Sequence, residues 1–176
     1  EPFIVRWPGK IKPGTTSDKT ICTTDLMATC ADIINIKLAD DEGEDSYSML
    51  PLFIDPISTD YQRETTVHHS INGSFALRKE KWKMVFCPDS GGWSDPKPNS
   101  KEVVGLPKYQ LYDLSIDPSE KNNLYPDNPD IADEMEEMMV ALIHNGRSTP
   151  GTIQKNDLPL GNKEWKQVEI FSELVR

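Results

Sequence analysis

Apolar and polar positions follow two different periods along this chain, and each period predicts a different element. Over residues 74–86 the period is two: Phe75 and Leu77 alternate with Ala76 and Arg78, and Trp82, Met84 and Phe86 alternate with Lys83 and Val85. That alternation predicts a β-hairpin turning at Lys79 to Lys81, its aromatic and long apolar residues on the buried face and a basic face opposite. A further strand is expected over Tyr109–Leu114, after a Gly/Pro/Ser-rich surface loop from Pro88 to Pro107. From residue 129 the period lengthens to three and four. Pro129 after Asp127 and Asn128 marks a helix start, Asp130, Asp133 and Glu134 suit its first turns, and Gly146 suits a left-handed cap at its end. Ile131, Met135, Met138, Met139 and Leu142 form the stripe expected to be buried.

Nearer the start, residues 2–7 are a β-favouring run stopped by Pro8-Gly9. Thr23 or Thr24 is positioned to cap a helix whose stripe is Leu26, Met27, Cys30, Ile33 and Ile34, with Cys22 and Cys30 as buried free thiols. Near the other end Trp165, Val168, Ile170 and Phe171 read as one edge strand. Asp40 to Asp45 carries five acids in six positions and leads into a Pro-containing connection. The run lacks the alternating oxygen ligands and bidentate Glu of a calcium loop, so it reads as solvated. A boundary near residue 57 divides the chain into 1–57, 58–146 and a tail, 147–176. The opening at Glu1, with no Met and no polar lead-in, reads as entry partway into a strand, so the chain is expected to be a piece of a longer one.

Charge narrows the partners. With 19 Lys and Arg against 29 Asp and Glu the net charge is −10, which disfavours nucleic acid as a partner because affinity there comes from cations neutralising phosphates. No apolar run approaches the ~18 residues that a membrane span needs. Three cysteines at unrelated spacings form neither a disulfide framework nor a metal knuckle. No G-x-S-x-G elbow is present. His68 and His69 are adjacent on a strand and point to opposite faces, so they do not share one metal. What remains is Thr65 to Ser74, which concentrates imidazole, amide and hydroxyl groups able to hold a sugar hydroxyl or an anion. His68, His69 and Asn72 are the candidate substrate-binding residues; the alternative for Asn72-Gly73 is plain turn chemistry. Asn72-Gly73-Ser74 also matches a glycosylation sequon.

Longer motifs carry a resemblance. The opening through Trp7-Pro8-Gly9 resembles the stretch after the Gly-Gly-x-Arg segment of formylglycine-dependent sulfatases, and Asp25 to Asp32 resembles a helix of that family. Gly43 to Pro51 is similar to its G-x-D-S-x-S-L-L-P connection, and Leu111 to Leu124 to its LYDLxxDPxExxNL pattern. The matches run in order from residue 1 to about 150. The resemblance implies an α/β (α+β) fold: the end of an alkaline-phosphatase-like domain, then a small subdomain whose four-stranded antiparallel sheet packs on the helix at 129–145. It implies hydrolysis of sulfate esters of carbohydrates or aryl sulfates, and calcium in the full-length enzyme. The formylglycine of its C/S-x-P-x-R motif and the calcium ligands are expected upstream, because no cysteine here has Pro two and Arg four residues on. No catalytic residue and no metal ligand is therefore expected in this chain, which alone should be inactive. Its partners would be its own N-terminal catalytic region and the sulfated substrate, with self-association of the separated piece. A periplasmic, secreted or lysosomal setting follows from the family. The resemblance also brings the strand that leads into the sheet to the mouth of the pocket, where strand alternation would turn only one of His68 and His69 inward. It marks Glu80 as a departure, since similar sequences commonly carry Gly there. The competing readings are a detached glycan- or protein-binding module and a related phosphate-ester hydrolase.

Overall fold

Strand alternation and helical periodicity both find partners in the computed structural model, which describes residues 2–158 and 166–171. The chain divides into two units, Glu1–Glu64 with Arg147–Gln154, and Thr65–Gly146 with the tail from Lys155. Together they give the expected mixed α/β composition.

The second unit is built on a sheet of four strands, β1 (Thr65–His69), β2 (Phe75–Lys79), β3 (Trp82–Val85) and β4 (Gln110–Asp113). They lie in the order β1-β2-β3-β4, every neighbouring pair antiparallel. The register places Val67 beside Leu77, Leu77 beside Met84 and Met84 beside Leu111, so one face is continuously apolar. The hairpin turns at Glu80 and Lys81, and Glu80 takes a positive φ of 50°, a conformation that favours Gly.

Helix α3 (Pro129–Asn145) opens on Pro at its first turn and ends at Gly146, whose φ of 60° is the left-handed cap that the sequence predicts. Its buried residues are Ala132, Met135, Met139 and Ile143, with Ile131, Met138, Val140 and Leu142 packed beside them. These meet Phe75, Leu77, Met84, Phe86, Tyr109 and Leu111 in a single core. The expected edge strand over 165–171 is replaced by a 3-10 helix, Lys166–Phe171, while Trp165 lies outside the described residues. Val168 and Phe171 are three apart, the repeat of a 3-10 helix, and so both enter the core.

The first unit departs further from expectation. Residues 2–7 form no strand: Phe3, Ile4 and Val5 are exposed, and the only regular feature is a turn in which Lys10 and Ile11 donate to the Trp7 carbonyl. A β-favouring composition needs a neighbouring strand to satisfy its backbone, and none pairs with it among the described residues. Helix α1 (Leu26–Ile33) forms where predicted, but Thr23–Asp25 is a 3-10 turn and the cap is Asp25, which accepts the Cys22 N–H. Its apolar stripe is exposed, including Cys30, while Thr29 and Ala31 are buried. The reason is polar: the Thr29 hydroxyl donates to Asp25 O at 2.6 Å and accepts from Met49 N at 2.8 Å, which turns the Thr29 side of the helix inward. A short helix α2 (Leu50–Ile54) then supplies Leu52 to a small core with Met49 and Tyr61.

Candidate functional site

The candidate residues sit at the end of β1 and in the turn that follows. His68 pairs in register with Ala76 and His69 with Phe75, so the two imidazoles leave opposite faces of the sheet. Both are exposed. Nε2 of His68 lies 3.1 Å from the Thr66 hydroxyl. His69 stands edge-on to the Phe75 ring at 4.5 Å, and desolvation there lowers its pKa below the ordinary 6.5. That shift favours the uncharged imidazole, which can both donate and accept a hydrogen bond.

Asn72 organises the turn. Its Oδ1 accepts from the Ser70 hydroxyl at 2.7 Å and from Ser74 N at 2.9 Å, while Ser70 N donates to Ser74 O and Gly73 N to Ser70 O. Those bonds occupy its oxygen, and the residue as a whole is exposed. The structure also brings in a loop that sequence reasoning treated only as surface: Asn72 N donates to Gly91 O, and Asp89 holds the loop by accepting Gly91 N at 2.8 Å. The Gly91-Gly92 pair was the available signal, since adjacent glycines often mark a close backbone approach. Exposed His69 at the end of β1 and exposed Asn72 in the turn are thus three residues apart.

A second constellation lies in the first unit. Asp25 is fully buried and accepts from Cys22 N, Tyr47 N, the Tyr61 hydroxyl and both Nε and Nη2 of Arg63. The Arg63 guanidinium also lies 4.5 Å from the Tyr47 ring centre. Burial opposes its charge, but the hydrogen bonds and charge of Asp25 prevail and raise its pKa. Burial and the Asp25 charge push the Tyr61 hydroxyl well above its usual range. With its oxygens filled and no solvent access, this carboxylate anchors the unit and does no chemistry on a ligand.

Nor is the acidic run merely solvated. Asp40 accepts from Arg147 and Thr152, Asp45 accepts from Ser148 N, and Glu44 O accepts from Thr149, so the run holds residues 147–152. Thr152's hydrogen bonds, reinforced by the Arg147 cation, keep the Asp40 carboxyl below the usual range. An open cavity of about 670 Å³ beside it is lined by Arg147, Lys37 and Glu42 among others. The Arg147 guanidinium is already donating to Asp40, Thr149, Pro150 and Thr152, so it offers an anion little. Among the described residues no three His, Cys, Asp or Glu side chains converge to hold a metal, and no helix is long and apolar enough to cross a membrane.

No family model matches the chain. It is, however, 34% identical over 143 residues to the N-acetylgalactosamine-6-O-sulfatase of Bacteroides thetaiotaomicron, a match covering 78% of this chain and 26% of that protein. A solved Bacteroides thetaiotaomicron structure from work on the metabolism of multiple glycosaminoglycans superposes with a TM-score of 0.64 at 33% identity, over 80% of this chain and 28% of that one. The chain belongs to the sulfatase family. The ulvan-active sulfatase of Formosa agariphila is 27% identical across 94% of this sulfatase chain, and human arylsulfatase A is 29% identical across 70%. A protein solved with D-glucosamine-2-N,6-O-disulfate shares the fold at a TM-score of 0.57 and 18% identity. The sulfatase chain spans 26%, 38% and 26% of the three curated relatives.

Proposed function

We propose that this chain is the C-terminal part of an enzyme that hydrolyses sulfate esters of carbohydrates, and that it completes the fold and shapes the substrate pocket. The observation that supports this most is the 34% identity to a sulfated-amino-sugar sulfatase across 78% of the chain. In the reaction a sulfate ester and water give an alcohol and sulfate, with the ester S–O bond broken and a proton returned to the alcohol oxygen. The chain carries no C/S-x-P-x-R motif, so this reading assigns none of that step to its residues. The formylglycine and calcium that the resemblance implies belong, in this reading, to the upstream region.

The part left to this chain is selection of the sugar. His69, whose imidazole can donate and accept, and the exposed Asn72 suit sugar hydroxyls, whose recognition depends on placed donors and acceptors in place of net charge. His68, on the other face of the strand, would take a different part of the substrate or none. The exposed Leu26, Met27 and Ile33 of α1, with Ile34 just after it, would be covered by the catalytic region of the same polypeptide, and the separated piece would self-associate through them. A periplasmic, secreted or lysosomal setting accompanies this reading.

Peptide mapping by mass spectrometry of the protein from its native source tests the assignment. The expected result is a C/S-x-P-x-R peptide carrying an aldehyde, upstream of Glu1 in the same polypeptide. A native chain that starts at Glu1, with no such peptide, contradicts it and leaves a binding module.

A further inference from the structure

Trp93 is 83% exposed at the tip of the loop that follows β3, so it adds little to any core among the described residues. A single exposed apolar side chain needs no explanation by itself. What sets this one apart is how firmly its loop is seated. Ser90 N donates to Pro96 O at 3.0 Å and closes the loop, the Ser90 hydroxyl donates to Ser94 O at 2.7 Å, and Gly92 N donates to Ser90 Oγ. At its base Gln110 Nε2 donates to the carbonyls of both Cys87 and Asp89 at 2.8 Å.

The loop is also fitted against the candidate site. A Cβ on Gly91, which holds a φ of 62°, would stand 2.5 Å from the Ser70 hydroxyl, and one on Gly92 would stand 2.9 Å from the Ile71 side chain. Only a pair of glycines allows this approach, and the next residue is Trp93. Ile71, itself 68% exposed, and Asn72 both meet this loop.

We propose that Trp93 is a sugar-stacking platform, a specificity-determining residue that takes the apolar face of a pyranose ring next to the hydrogen-bonding turn of Asn72. The inference rests on the sulfatase reading above. An indole face held out by an ordered loop loses little conformational entropy on binding and supplies a broad apolar surface. Ser70 and Asn72, which meet the adjoining Gly91, supply polar groups that a flat apolar protein patch would not need.

The test uses full-length protein, with Trp93→Ala and Trp93→Phe compared on a 6-O-sulfated N-acetylgalactosamine oligosaccharide and on a small aryl sulfate. Trp93→Ala should raise KM for the oligosaccharide about tenfold and leave KM for the aryl sulfate unchanged, and Trp93→Phe should recover most of the loss. Unchanged KM on both substrates, or equal losses on both, overturns the platform. A wild type that cleaves neither substrate instead refutes the sulfatase reading. Iodide quenching of the Trp93 fluorescence, taken as wild type minus Trp93→Phe, then decides separately. Shielding by the oligosaccharide supports the platform; no shielding, or a Trp93 already inaccessible without ligand, overturns it.

Discussion

Replacing Asp25 by Asn should unfasten the first unit and leave the second intact. The side chain keeps its shape but loses its charge, so the Arg63 guanidinium, 4% exposed, loses the carboxylate it binds. The new amide NH2 must also face donors from Cys22, Tyr47 or Tyr61 that now meet an acceptor. Breaking one side of a buried pair costs about 3–5 kcal/mol, with the unpaired partner providing most of it. Hydrogen–deuterium exchange reads each unit separately. Peptides over residues 47–55, whose Tyr47 and Met49 amides are held by Asp25 and Thr29, should lose protection by roughly two to three and a half powers of ten. Peptides over the β2–β3 hairpin should not change. Pairing Asp25→Leu with Arg63→Met should recover much of the loss, because removing both charges removes the burial penalty of each. A protection change under about threefold over residues 47–55, or an equal loss in the hairpin, would refute the view that this pair anchors its own unit.

Other expectations concern the second unit. Met139→Ala should destabilise it by about 2–5 kcal/mol, because Met139 is buried between α3 and the sheet; urea denaturation monitored over the hairpin checks this, and a cost below ~1 kcal/mol would contradict the packing. Gly91→Ala should displace the loop from Ser70 and lower the protection of the Asn72 amide, seen as an NMR shift confined to residues 70–74 and 89–96. His69 should titrate below 6.5 by NMR. Because the fold binds that proton more weakly than the unfolded chain, the His69 contribution is complete above ~6.5 and is lost as pH falls below it toward the folded value. A midpoint at or above 6.5 would sink the desolvated placement against Phe75.

The sheet and α3 were legible because each buries one face within its own stretch of sequence. Phe75, Leu77, Met84 and Phe86 alternate at the strand period, and Met135 with Met139 repeats at the helical one, so local spacing already carries the packing. The tail was misread because Val168 and Phe171 share a face in a 3-10 helix as readily as two residues share one in a strand. At α1 the apolar stripe misled, since burial follows the polar network from Thr29 to Asp25 and not hydropathy. Asp25 itself was invisible as an anchor: its partners Tyr61 and Arg63 lie 36 and 38 residues away, and nothing in their types marks the meeting. For the site, the polar run of Thr65 to Ser74 was readable, whereas the arrival of the Asp89–Gly92 loop on Asn72 depends on backbone geometry that only the fold supplies.

In the proposed role this chain completes a carbohydrate sulfatase. The most direct measurement is sulfate release by the full-length protein from a 6-O-sulfated N-acetylgalactosamine oligosaccharide, compared with the same protein lacking residues 65–146. The expected result is release of sulfate by the intact protein, with oligosaccharide turnover lost on deletion. No sulfate from the intact protein on this or other sulfated sugars, or equal oligosaccharide turnover without residues 65–146, would contradict it.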